Sequence, residues 1–125
     1  MSLPRRSFWR AALVLLACAI AVQALTPHPP TTLHTGWDKL DHVLAFAALG
    51  LCAQSAAADP RRPAWAWLGL VLAFGAFIEA AQAQIPGRYA EAADLLADTL
   101  GIACGAVSAL LCWRRMPVVR RERGL

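Results

Sequence analysis

Apolar residues dominate this chain in long runs, and short polar connections separate them. The runs cover residues 8–25, 40–58, 64–85 and 92–113. Each approaches the ~20 residues that a helix needs to cross a bilayer. None alternates as a membrane β-strand would, and a β-strand would be about half as long. Only helices and closed barrels satisfy their own backbone inside lipid. The pattern therefore predicts an all-α fold, an integral membrane four-helix bundle spanning 8–113. Residues 1–7 precede it and a basic tail, 114–125, follows it.

The connections carry breakers. Thr26 to Trp37 holds Pro27, Pro29 and Pro30, which stop the first helix and favour extended backbone. "ADPRRP" separates the second run from the third, and Pro86 and Gly87 separate the third from the fourth. Trp37 and Tyr89 fall at the boundaries, where amphipathic rings prefer to sit. Gly101 and Gly105 form a GxxxG pair on the fourth helix, which predicts close helix approach.

Charge gives an orientation. Arg5 and Arg6 precede the first run and Arg10 stands at its start, Arg61 and Arg62 separate the second and third, and Arg114, Arg115, Arg120, Arg121 and Arg123 follow the fourth. Only Lys39 and Arg88 fall on the other side. The positive-inside rule then predicts both termini in the cytoplasm, N-in and C-in. The formal net charge of +4 follows from this bias. It does not point to nucleic acid, because the basic tail lacks interleaved aromatics and abuts a span. Attraction to anionic lipid suits it better. An alanine- and arginine-rich chain of this kind fits a bacterial inner membrane.

Two features could be misread. The start resembles a signal sequence, with a loose lipobox at Cys18 and a loose cleavage site at Ala24. The chain stays apolar through Leu25, so a retained first helix is expected. Cys18, Cys52, Cys104 and Cys112 are isolated in apolar runs and form no CxxC pair, which argues for buried packing rather than a metal or disulfide framework.

The chemistry lies in the charges inside the runs. Glu79 sits roughly 10 Å below the outer end of the third helix, Asp98 roughly 10 Å below that of the fourth, and His42 roughly 6 Å down the second. Asp94 is one turn shallower than Asp98. Asp38 with His42, Glu79 with Gln82, and Asp94 with Asp98 stand at spacings of three or four, so each set shares a helix face. A carboxylate facing lipid costs about 2.5–3.5 kcal/mol even on insertion scales, so these faces should turn inward. The expected result is a polar pocket open to the outer side. Lys39, Arg88 and His42 are its candidate cations. Asp94 is expected to pair with Arg88, and Glu79 with His42 or Lys39. Asp41 and Glu91 are expected to be solvated. His28 and His34 read as loop surface.

The same residues carry a resemblance. Asp38, Lys39, His42 and Phe46 in "DKLDHVLAFAALG" resemble the first motif of the VanZ-like membrane protein family. Glu79, Gln82, Pro86, Gly87, Arg88, Asp94 and Gly101 resemble the second, with Asp98 where the family usually has Asn and Glu91 where it often has Ser. The likeness covers residues 36–112. It implies a small helical membrane bundle, and the family is named for a protein linked to low-level teicoplanin resistance. The extra carboxylate at Asp98 would favour a proton or a cation.

Three functions compete. A binding site for an envelope lipid or lipid-linked cell-wall precursor would use Asp38, Lys39, His42, Glu79, Gln82, Arg88, Asp94 and Asp98. Lys39 and Arg88 would take the phosphate. It could alter glycopeptide susceptibility. A structural network would only fix helix packing. An outer-leaflet lipid-modifying enzyme would use His42 as base with Glu79 or Asp98. No HExxH or GxSxG supports the enzyme, so a non-enzyme is favoured. A divalent cation is a variant of this third reading, and oxygen-rich ligands suit magnesium, calcium or manganese. Membrane lipids are the expected partners, and a homo-oligomer is compatible with the pattern.

Overall fold

The computed structural model describes residues 3–28 and 35–117. The expectations for His34 and for Arg120, Arg121 and Arg123 lie outside the described residues. Four helices follow one another: α1 (Leu3–Leu25), α2 (Asp38–Ala56), α3 (Trp65–Gln82) and α4 (Ala92–Arg115). No strand occurs among the described residues.

Three helices, α1, α3 and α4, are long and apolar enough to cross a membrane. The sequence pattern predicts four spans, and α2 is the exception. Its first turn and a half carries Asp38, Lys39, Asp41 and His42, and its last turn carries Gln54 and Ser55. Its polar residues are accommodated by position. α2 packs against α1, α3 and α4, and most extensively against α4. Gln54 and Ser55 are each 1% exposed.

The bounds also shift for local reasons. α1 begins before the apolar run and takes Arg5 and Arg6 into the helix. α3 stops at Gln82 rather than Ile85, and bonds from Gln84 to Ala81 and from Ile85 to Gln82 close its last turns. The chain then turns at Ile85–Arg88, where the Arg88 N–H meets the Ile85 carbonyl at 3.0 Å. Proline at the second position and glycine with φ +81° at the third suit a type II turn.

α2 and α4 run side by side in the same direction. Their contact is close because glycines line it. A methyl group built on Gly105 would overlap the Ala47 carbonyl, and one on Gly101 would overlap that of Val43. From the other side, a methyl on Gly50 would fall 2.5 Å from the Ile102 carbonyl oxygen. The GxxxG expectation is met within the chain itself. Phe46, Leu49, Cys52, Ala53, Leu13, Val71 and Ile102 form the buried core around this contact.

Helix ends opposite the charged cluster are closed by polar contacts. Gln54 donates to the carbonyls of Pro60 (2.9 Å) and Arg62 (2.7 Å) and accepts from the Ala64 N–H (3.0 Å). One buried amide thus holds the α2–α3 turn. Trp113 donates to Ser55 at 3.0 Å, joining α4 to α2. Arg61 donates to the Trp113 and Met116 carbonyls at 3.0 and 2.8 Å, at the end of α4.

The glycine contact yields a contrast. Gly105→Ala should destabilise by about 1–3 kcal/mol, the range for overpacking. Gly69→Ala, where nothing lies within 4 Å of the added carbon, should be neutral or stabilise by up to about 1 kcal/mol. Thermal unfolding in detergent, followed by circular dichroism, checks both. Equal effects at the two sites would contradict the close α2–α4 approach.

Candidate functional site

The charged cluster gathers where α2 and α4 begin and where α1 and α3 end. Acidic residues occupy the first turns of α2 (Asp38, Asp41) and α4 (Asp94). Negative charge is favoured there by the helix dipole.

Lys39 is the central cation. Its Nζ bonds Asp94, lies 2.5 Å from Glu91 and 3.9 Å from Asp38. Its partners differ in burial. The Asp94 side chain is 6% exposed and that of Glu91 57%. Hydrogen bonding to Asp94, then to Glu91, raises the Lys39 ammonium pKa above its ordinary value. Lys39 therefore stays charged at any physiological pH. Asp94 pairs with this lysine, not with Arg88 as the sequence suggested, because the parallel α2–α4 register brings residue 39 beside residue 94.

One turn deeper, His42 Nδ1 meets Asp98 Oδ1 at 2.7 Å, and Nε2 lies 4.0 Å from Asp94 Oδ2. Asp98 is fully buried. Gly75 of α3 makes room for it, since a methyl there would fall 2.9 Å from Asp98 Oδ2 and 3.0 Å from the Phe46 ring. Glu79, 8% exposed, accepts the Glu91 N–H on Oε2 at 3.3 Å, which ties α3 to the start of α4. Glu79 Oε1 and Asp98 Oδ2 are buried and have no hydrogen-bond partner among the described residues.

Arg88 and Gln82 face α1. Arg88 Nη2 donates to the Thr26 carbonyl at 2.8 Å and to that of Gln23 at 3.4 Å, and Gln82 donates to that of Ala24 at 3.1 Å. The last carbonyls of a helix lack internal partners, and these side chains supply them. The Pro86–Gly87 turn presents Arg88 to this task. Asp41 accepts the Thr35 N–H at 2.9 Å, and Glu91 is held by Lys39, so both acids expected in solvent have partners. His28 is exposed.

A cavity of about 460 Å³ opens beside the cluster, between α1, α2 and α3. Leu16, Ile20, Leu44, Phe46 and Ile78 form its apolar wall. Asp38, Asp41, His42, Gln82 and Arg88 form its polar rim. Sequence reasoning found the rim but missed the wall, because α1 carries no polar signal at Leu16 or Ile20. Chemically, the arrangement offers a histidine oriented by a buried carboxylate and a pair of unpartnered carboxylate oxygens, beside an amphipathic cavity. Such a set can hold a proton or a cation.

A VanZ/LLP1 family model matches residues 5–113. No curated protein and no solved structure matches the chain.

The ion pair can be tested by a double-mutant cycle. Lys39→Gln should lower the unfolding midpoint, because Asp94 then remains buried without its cation. Adding Asp94→Asn should restore part of the loss. Additive losses in thermal unfolding would show that the pair is not coupled.

Proposed function

The chain belongs to the VanZ/LLP1 family, and from that premise we propose that it binds an envelope lipid or a lipid-linked cell-wall precursor. The site is the cavity between α1, α2 and α3. The supporting observation is the two-zone lining: apolar Leu16, Ile20, Leu44 and Ile78 against polar Asp38, Asp41, His42, Gln82 and Arg88. An amphiphile matches such a surface, with its chain on the wall and its head-group at the rim. Arg88 borders the cavity while one of its nitrogens, Nη2, holds α1. Five N–H donors on a guanidinium are enough to serve both α1 and a phosphate.

The arginine bias supports an N-in, C-in orientation in a bacterial inner membrane, with the polar rim outward. An outward rim would meet cell-wall precursors where glycopeptides act, which supports an effect on teicoplanin susceptibility. Lys39 is less suited to phosphate than the sequence suggests, since Glu91 and Asp94 already surround it.

A second reading is structural. Lys39 joins α2 to α4, Gln82 joins α3 to α1, and Arg88 ties the α3–α4 turn to the end of α1. That reading explains the bonds but leaves the cavity without a role.

The test is lipid co-purification. The full chain is isolated in mild detergent and its lipids are identified by mass spectrometry. Ala19→Trp and Ala45→Phe both add bulk to the cavity lining. Each should cause a several-fold loss of one bound lipid species at unchanged folded yield. Equal lipid content in wild type and both variants would rule the cavity out as the site. A parallel assay compares teicoplanin susceptibility of host cells with and without the chain.

A further inference from the structure

We propose that His42, Glu79 and Asp98 form a binding site for a single divalent cation of the manganese type. One donor atom from each of the three lies within 4.8 Å of the others. They come from three helices, α2, α3 and α4. The site is thus a cross-link of the bundle and not a row of acids on one surface.

The unpartnered oxygens point to a ligand. Buried polar atoms in folded proteins are nearly always satisfied, and each exception asks for an explanation. Here two exceptions, Glu79 Oε1 and Asp98 Oδ2, belong to the same triad. Both residues are more than nine-tenths buried. The cations nearby are committed elsewhere: Lys39 to Asp94 and Glu91, and Arg88 to the carbonyls of α1. Among the described residues, His42 is the basic group grouped with the two deep carboxylates. One dication held by the triad would balance both charges.

A second triad, Asp38, His42 and Asp94, lies shallower and shares His42. It is the weaker site, because Lys39 already occupies Asp94. Its place is on the approach. Asp38, Asp41 and His42 line the cavity, so a cation entering there passes acidic groups before it reaches the deep triad.

Ligand chemistry selects the ion. Carboxylates suit magnesium, calcium and manganese, whereas imidazole suits transition metals, and manganese satisfies both. Ligand atoms each about 2.1 Å from one ion stand roughly 3 Å apart. The 2.7 Å hydrogen bond between His42 Nδ1 and Asp98 Oδ1 would open as the ion enters, and the triad, whose donor atoms lie within 4.8 Å of one another, would close around it. The site shares His42 with the cavity rim, but cation binding is measured without added lipid, so its failure is distinguishable from failure of the lipid reading.

The full chain in detergent is stripped with a chelator and titrated with Mn²⁺ alone, and free Mn²⁺ is read by electron paramagnetic resonance. The expected result is saturable, stoichiometric binding with an imidazole nitrogen coupling in the pulsed spectrum. Glu79→Gln and Asp98→Asn should each weaken binding by at least about tenfold. Asp59→Asn, in the exposed turn at the far end of α2, should bind as wild type does. If Asp98→Asn does not fold, the wild-type spectrum and Glu79→Gln decide the matter. Absence of binding to folded wild type, a bound ion without nitrogen coupling, or unchanged affinity in Glu79→Gln would each overturn the site. The last two outcomes would place the ion elsewhere, and the first would leave the acids to protons.

Discussion

Everything at the charged end depends on how closely α2 and α4 approach. Gly50, Gly101 and Gly105 let the two backbones touch, and backbone contact of this kind admits little sliding. The parallel register that results pairs Lys39 with Asp94, His42 with Asp98 and Ser55 with Trp113. These pairs span the length of α2 at residue offsets of 55, 56 and 58, so one parallel alignment serves the ion pair, the histidine pair and the far-end hydrogen bond alike. Without the glycines, Lys39 could not stay beside Asp94 while Ser55 stays beside Trp113. Small residues commonly mediate such packing where both helices face an apolar medium.

The second theme is the helix end. Every described helix leaves its last carbonyls without internal partners. At α1 the donors are Gln82 and Arg88, just past α2 Arg6 reaches the Ala58 carbonyl at 2.8 Å, and at the end of α4 Arg61 reaches the Trp113 and Met116 carbonyls. A cation also complements the negative end of the helix dipole. Arginines that read as topology signals therefore also close helices. The two roles are compatible, because the positive-inside rule constrains only the side of the membrane and says nothing of the partner.

Much of the layout was legible in the sequence, and the reasons differ by feature. The four helices follow from run length and from Pro86, Gly87 and the "ADPRRP" turn. Inward-facing polar groups follow from spacings of three and four together with the cost of charge in lipid. The gathering of Asp38, His42, Glu79, Asp94 and Asp98 at one end follows from depth. Pairing was not legible. Depth arguments place Lys39 and Arg88 equally near Asp94, and only the α2–α4 register separates them. Nor was the distinct character of α2 legible, because its apolar middle hides how much of it the other helices enclose. Gln54 and Ser55 could have been noticed as buried polar residues just before a turn. The α1 wall of the cavity left no trace, since Leu16 and Ile20 look the same facing lipid or facing a cavity.

The pairing changes the balance of charge in a way that counting could not. Six acids against two firm cations suggests a diffuse surplus. Once Lys39 is assigned to Asp94 and Glu91, and Arg88 to carbonyls, the surplus is local. It rests on Glu79 and Asp98, the two deep carboxylates with unpartnered oxygens. A purely structural network would be expected to satisfy its deepest members first, because an unmet buried acceptor costs more than an exposed one. Here the deepest acids are the less satisfied: Asp94 and Glu91 share a lysine, while Asp98 has His42, Glu79 has one backbone N–H, and each keeps an unpartnered oxygen. That imbalance is hard to reconcile with a cluster that exists only to hold helices together, and it is the physical reason to look for a ligand at the deep end of this bundle.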